Sequence, residues 1–409
     1  MLIGWSLFIS NLTKKTVEDA ESAEIYQRKI QTILQQAQAS PAPSAISVIC
    51  VNQRPISGGS ERLPNYIQIR NKSQMTKIIA CPRQPRHRIA YCVFRIRIPL
   101  RNTQYAMSKL ILALDFGGTK LTAALCDENA LSAAAPHWLA HKRIGSPAAP
   151  TRQSDLTNML ALARELLHGR RPAAVGVSFG GPVDFAAGRV RLSHHVPGWE
   201  ETPLRDILAE EFGAPARVDN DANAAALGEY HFGAGRGLSS LLYVTVSTGV
   251  GGGWILDGRP YRGHNSMAGE IGHTVADPDG PLCLCGQRGC VERLASGPYM
   301  AQDLATALER DGLTGRDVAE MAAAGEKTAV ALLERGAWAL GVGLGNAANL
   351  LNPQRFILGG GVTKAGGHWW QITRQTARHT ALPEIQFDIV PAELGDDAPL
   401  WGAAVLAVK

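Results

Sequence analysis

The residues with the most specific chemistry lie close together. His273 is followed ten positions later by Cys283, and then by Cys285 and Cys290. One imidazole and three thiols form a Cys₃His set, the closed tetrahedral kind that holds structural zinc. Glycines between the thiols allow the tight bends that so short a loop requires. The chain has seven cysteines, at 50, 81, 92, 126, 283, 285 and 290. The odd count and irregular spacing argue against a disulfide framework, and the clustering of three within eight residues points to metal. Glu270 and Glu292 flank the set. Folding around a metal would bring both carboxylates into one pocket, where they suit bidentate contact with adjacent sugar hydroxyls. Either glutamate alone would read as a solvated surface residue; their placement around the metal set marks them.

Two glycine turns come next. Asp115-Phe-Gly-Gly-Thr-Lys120 and Ser247-Thr-Gly-Val-Gly-Gly-Gly253 each sit between strand-like runs. Backbone N–H groups at Gly117, Gly118 and Gly249 can approach phosphate oxygens closely, since no Cβ intervenes. Thr119 and Thr248 add hydroxyl donors, and Asp115 offers a carboxylate suited to a Mg²⁺ shell. Neither segment is a GxxxxGK[ST] loop, and neither opens a helix as a dinucleotide fingerprint does. Taken singly, each reads as a tight turn. The pair, strand–GGTK–strand early and strand–STG–strand late, resembles the phosphate clamp of the actin/hexokinase-like ATPases.

Between the turns lies Val218-Asp-Asn-Asp-Ala-Asn-Ala-Ala-Ala-Leu-Gly-Glu229. Its alanine-rich tail predicts a helix with Asn220 and Asp221 at the start. Short polar residues there cap the first N–H groups, so Asp221 could be a cap alone. Phosphoryl transfer to a hydroxyl also needs a group to accept the proton, and a carboxylate fixed at a strand-to-helix junction suits that work. The reading is Asp221 as base and Asn220 as a ligand of a sugar hydroxyl.

These residues need a scaffold, and the chain from Met107 onward reads as one. Apolar strand-like runs alternate with helical stretches, the pattern of an α/β protein. Strands are predicted at 110–115, 121–125, 173–178, 241–246, 253–256 and 355–358, and helices at 154–167 and 328–351. The long helix ends before Pro353, as proline requires. The strand at 355–358 runs into Gly359-Gly360-Gly361. With 409 residues, 45% hydrophobic and 19% charged, the chain can bury more than one core. No apolar run approaches the ~18 residues of a membrane span, and the opening residues lack the pattern of a signal peptide. A cytoplasmic protein with no membrane partner is therefore expected.

The net charge of +5 hides two compositions. Residues 1–106 carry 15 Lys/Arg against 5 Asp/Glu, and the remainder 26 against 31. Apart from a possible amphipathic helix between Thr16 and Gln38, the first 106 residues show no sustained periodicity. They read as a basic, largely unstructured extension, or as sequence upstream of a start at Met107.

The motifs together resemble the ROK family (repressor, open reading frame, kinase), a branch of the hexokinase-like fold. The likeness runs from about Lys109 to the end. It rests on 115–120, Gly180-Gly181-Pro182, Asn220-Asp221, Ser247-Thr248-Gly249, Glu270-Ile-Gly-His273, the CxCGxxGC core from Cys283 to Cys290, Glu292, Asn352-Pro353 and Gly359-Gly360-Gly361. It implies a two-lobed α/β fold around a central cleft, with a small lobe over 107–219 that recovers 399–409 and a large lobe over 220–398. It further implies ATP and Mg²⁺ between the lobes, and sugar contacts from Gly181, Asn220, Asp221, Glu270, His273 and Glu292. Structural zinc on His273, Cys283, Cys285 and Cys290, adenosine near Gly359–Gly361 and a homodimer complete the expectation. Glucose is the expected sugar, from the Glu270…His273 pair, with an N-acetylated hexosamine as the alternative. A sugar-responsive repressor is the rival from another class. Residues 1–106 offer at most one helix where a winged helix-turn-helix needs several elements, and Asp221 is retained, so nucleic acid is not an expected partner.

Overall fold

A computed structural model describes residues 109–133, 136–193 and 196–409, with three short strands before them. The chain divides into two compact units, 1–104 and 105–409. In the first, β1 (Ser47–Ile49), β2 (Tyr66–Arg70) and β3 (Lys77–Ala80) form an antiparallel sheet in that order. Sequence periodicity did not announce it, because alternation over three to five residues is too short to stand out. The other expectations for 1–106, including the helix at 16–38, lie outside the described residues.

The second unit contains two five-stranded sheets. The first uses β4 (Leu110–Phe116), β5 (Lys120–Asp127), β6 (Ala140–Gly145), β7 (Ala174–Phe179) and β10 (Ala216–Asn220), in the order β10-β7-β4-β5-β6. A small hairpin of β8 (Val183–Asp184) and β9 (Arg189–Val190) lies between β7 and β10. The second uses β11 (Leu241–Val246), β12 (Val250–Leu256), β13 (Arg259–Tyr261), β14 (Arg355–Gly359) and β15 (Asp388–Pro391), in the order β13-β12-β11-β14-β15. Each sheet pairs its first two strands as an antiparallel hairpin and lays its last two parallel to the first. Read by position within each sheet, the two strand orders are the same.

Helices α1 (Arg152–Leu167) and α2 (Leu204–Phe212) cover one face of the first sheet. Helix α3 (Asp221–Phe232) leaves that sheet directly from β10. Past β13, the helices α4 (Val291–Ala295), α5 (Gly297–Leu308), α6 (Gly315–Ala323), α7 (Lys327–Leu351) and α8 (Gly367–Thr380) build the core on one face of the second sheet. The C-terminal helix α9 (Ala398–Val408) returns to the first sheet, where Leu400, Trp401 and Leu406 join Ile111, Ala113 and Leu227 in one cluster. Helices α3 and α9 touch backbone to backbone, because Gly402 carries no side chain; a Cβ there would lie 1.6 Å from the Ala224 carbonyl oxygen. Among the described residues no helix is long and apolar enough to cross a membrane.

Candidate active site

Three parallel strands of the first sheet end together. Phe116, Phe179 and Asn220 are paired across β4, β7 and β10, with Asp115, Ser178 and Asp219 one step behind. Strand register thus gathers residues distant in sequence at the carboxyl edge of the sheet, the usual place for a ligand in α/β folds. The Ser178 hydroxyl donates to Asp115 Oδ1 at 2.7 Å. Burial pushes the Asp115 carboxyl up to about 6, against that bond and the pull of Lys120. After Phe116 the chain turns through Gly117-Gly118-Thr119, closed by the Gly117 N–H donating to the Lys120 carbonyl at 3.1 Å. Lys120 Nζ reaches Asp396 at 2.8 Å, just ahead of α9.

At the end of β10, Asn220 rather than Asp221 caps helix α3. Its side-chain oxygen accepts from the N–H groups of Ala222 and Asn223, and its amide nitrogen donates to Gly181 O at 3.1 Å and Asp221 Oδ1 at 2.9 Å. Asp221 Oδ1 shares the Ala222 N–H at 2.8 Å, but the Asn223 N–H goes to Asn220 alone, so Asn220 carries the cap without it. Burial, with the Asp115 carboxylate adding to it, pushes Asp221 up to about 7. A carboxylate tuned close to neutral pH is what proton transfer at physiological pH asks for.

The second sheet brings its part through one strand. Gly251 and Gly252, read in sequence as part of a turn, lie with Gly253 within β12. A Cβ on Gly253 would stand 2.2 Å from the Ala222 carbonyl, next to Asp221, and one on Gly252 would stand 2.6 Å from the Gly269 carbonyl, next to Glu270. The strand is bare so that the first turn of α3 and the Glu270 loop can press on its two faces. At the head of β12, Glu292 Oε2 accepts the Val250 N–H at 2.9 Å. Asp221, Glu270 and Glu292 are thereby collected around four consecutive residues, beside the turn Ser247-Thr248-Gly249. The parallel pairing of β11 with β14 sets Gly359-Gly360-Gly361 alongside that turn. Gly359 and Gly360 are tightly packed on Tyr243 and Val246, whereas Gly361 faces open space.

The cysteine loop lies between the two glutamates. One nitrogen of His273 and the sulfurs of Cys283, Cys285 and Cys290 all fall within 4.8 Å of one another. Cys285 and Cys290 are 3.5 Å apart, close to the ~3.8 Å edge of a tetrahedron with ~2.3 Å metal–sulfur bonds. His273 Nδ1 is buried with no hydrogen-bond partner, a costly state that a metal or a ligand hydroxyl would relieve. The donor set therefore fits a tetrahedral zinc. The loop is pinned by Val291 N–H donating to Thr274 O at 3.0 Å and by Ala276 N–H donating to Gly289 O at 2.9 Å.

Sequence reasoning passed over Ser178, Asp219 and Arg262. Asp219 is almost fully buried and takes two N–H groups of Arg262 on one oxygen, at 2.8 and 2.6 Å. The strand Ala-Arg-Val-Asp-Asn is too polar to announce itself, and the partner 43 positions away was not visible.

Two sheets of one topology, each sending a glycine hairpin toward shared central helices, define a two-lobed ATPase of the actin and hexokinase kind. The ROK family model matches residues 111–409, and the chain belongs to that family. It is 38% identical over 259 residues to a glucokinase of Halalkalibacterium halodurans, covering 58% of this chain and 78% of the relative. It is 34% identical to an N-acetylmannosamine kinase of Citrobacter koseri, covering 72% and 98%. A ROK family glucokinase of Streptomyces griseus, solved with glucose and AMPPNP, superposes with a TM-score of 0.63 at 34% identity, covering 73% of this chain and 99% of that one.

Proposed function

We propose that this enzyme transfers the γ-phosphoryl group of ATP to a hydroxyl of glucose, giving glucose 6-phosphate, with Asp221 as general base. The observation that carries the reading is the convergence of Asp221, Glu270 and Glu292 on β12, next to a glycine turn. In the reaction the sugar oxygen forms the new bond to phosphorus, the bond to the ADP oxygen breaks, and Asp221 takes the hydroxyl proton. Gly181, Asn220, Glu270, His273 and Glu292 orient the sugar. The turns Gly117-Gly118-Thr119-Lys120 and Thr248-Gly249 face the phosphates, and Gly361, with Gly359 and Gly360 behind it, faces the adenosine. Asp115 is the carboxylate suited to the Mg²⁺ shell, and the cation when bound offsets charge on the transferring phosphoryl group.

His273, Cys283, Cys285 and Cys290 would hold a structural zinc, which when bound supplies a rigid knot with every position taken by protein. An imidazole has two ring nitrogens, so His273 can serve the metal with one and a sugar hydroxyl with the other. A cytoplasmic homodimer is part of the same proposal, on the strength of the family resemblance.

A coupled ADP-release assay across a panel of hexoses and N-acetylhexosamines tests the substrate. Glucose should give the highest kcat/KM. A higher value with N-acetylmannosamine or N-acetylglucosamine would replace it by the second reading, which the 34% identity to an N-acetylmannosamine kinase favours.

A further inference from the structure

The base proposed above stands on a helix whose first turn is fixed by a neighbour that no motif names. Asp219 ends the buried part of β10, one residue before the Asn220 cap. Its Oδ1 accepts the Asn220 N–H at 2.9 Å and Asn223 Nδ2 at 3.1 Å, gripping the start of α3 from below. Its Oδ2 accepts Arg262 Nε at 2.8 Å and an Arg262 terminal nitrogen at 2.6 Å. Asp219 is buried and Arg262 largely so, with side-chain exposures of 4% and 17%. A carboxylate so desolvated is costly unless paired, and Arg262 is the cation that pairs it. The guanidinium also lies 3.6 Å above the Phe185 ring, which fixes its plane.

Arg262 belongs to the opposite half of the molecule, at the start of the loop that leads to Glu270. Its carbonyl accepts the Ala268 N–H at 3.0 Å. Within the loop, Ser266 is held at φ +64, where a non-glycine residue is strained, and its hydroxyl accepts the Phe185 N–H at 3.2 Å. The Asn265 carbonyl accepts from Arg191 at 3.4 Å. Residues 262–268 thus form a strap from the second half onto β10 and the β8–β9 hairpin of the first.

We infer that Arg262 is a positioning residue for phosphoryl transfer: by neutralising and orienting Asp219 it sets the first turn of α3, and with it the Asp221 carboxylate, against the sugar loop. The inference rests on Asp221 being the base. In this role Arg262 touches neither substrate. Its effect should therefore fall on turnover and leave ATP binding alone, because misplacing a catalytic group by about an ångström costs up to ~100-fold.

The test is a charge cycle on the full chain, with kcat and both KM values measured for each variant. Arg262→Met should lower kcat ~10–100-fold while the KM for ATP stays within about twofold. Arg262→Lys, which keeps the charge but loses the fork, should lose less. Asp219→Asn combined with Arg262→Met should recover about tenfold over Arg262→Met alone, because no buried charge is left unpaired. A double variant as slow as Arg262→Met, or an Arg262→Met enzyme with unchanged kcat, would overturn the inference. If Arg262→Met fails to fold, Arg262→Lys decides against the parent: a lowered kcat at unchanged KM for ATP supports the inference, and an unchanged kcat overturns it. Asp221→Asn measured alongside separates the two readings. If it is slow while Arg262→Met is not, only the positioning role falls; if it turns over normally, the base reading falls and takes this one with it.

Discussion

The two halves of the kinase share one strand order and put it to different use. In the first, the chemistry is in side chains at the ends of parallel strands: Asp115, Ser178, Asn220 and the adjoining Asp221. In the second, the corresponding hairpin carries three successive glycines in β12, and Gly252 and Gly253 act by admitting other segments. The connections differ as much as the strands. From β6 the first half passes to α1 through residues 146–151, whereas from β13 the second spends residues 262–326 before α7. That long insertion carries Arg262, Glu270, the cysteine loop and Glu292. A repeated topology therefore provides two equivalent hairpins, and under the proposed function the unequal connections leave the base in one half and bring Glu270, His273 and Glu292 to the sugar from the other.

This division can be broken most sharply at the cysteine loop. Cys285→Ser, or removal of metal with a strong chelator, should raise the apparent Kd for sugar ~10–100-fold, the usual weight of groups that orient ligands. ATP affinity should change little, since the glycine turns 117–119 and 247–249 lie outside the loop. Zinc content and sugar affinity in the same preparations provide the check. Protein free of zinc that binds sugar normally would dissolve the proposed role of the insertion.

A smaller effect concerns pH. The base must be ionised to accept a proton, and Asp221 is pushed up to about 7. The kcat/KM for sugar should climb about tenfold per pH unit below that value and level off above it. A profile flat between about pH 5 and 8 would mean that another group does the work.

The same burial leaves a mark on stability. The unfolded chain ionises this carboxyl near 3.8, while the native state holds its proton up to about 7. Native stability contributed by this group is therefore highest at low pH and is lost as pH rises from about 4 to 7. Asp221→Asn removes that charge while Asn220 keeps the cap, so at pH 8 its thermal midpoint should exceed the parent's by a few degrees. A lower midpoint would show that the carboxylate supports the helix.

The smallest expected effect is none. A chain beginning at Met107 should match the full one in kcat, KM and thermal midpoint, because every residue assigned to the site lies beyond it. A loss of activity would bring the basic extension into the account.

What was legible in the sequence was local. The turns 117–120 and 247–249, the Asn220-Asp221 junction and the cysteine spacing are each fixed by neighbours along the chain, and the structure has them where the spacing put them. The helices over 152–167 and 327–351 announced themselves by apolar spacing and by proline. What escaped depends on tertiary approach. Gly251 and Gly252 read as a turn leading into the strand at 253, because glycine is usually needed for backbone freedom, whereas here the glycines make room for α3 and the Glu270 loop. The cap was offered to Asp221 as readily as to Asn220, since both are good capping residues and only the backbone decides between them. Asp219 and Arg262 were invisible as a pair, for the same reason that the strap they anchor was.

The role of Asp221 as the base is tested most directly by one pair of measurements on Asp221→Asn: single-turnover phosphoryl transfer and calorimetric sugar affinity. With the cap on Asn220 and the shape of the side chain kept, sugar should bind within a few-fold of the parent while transfer slows ~10²–10⁴-fold. Transfer at close to the parental rate would contradict the assignment and reduce Asp221 to part of the helix start.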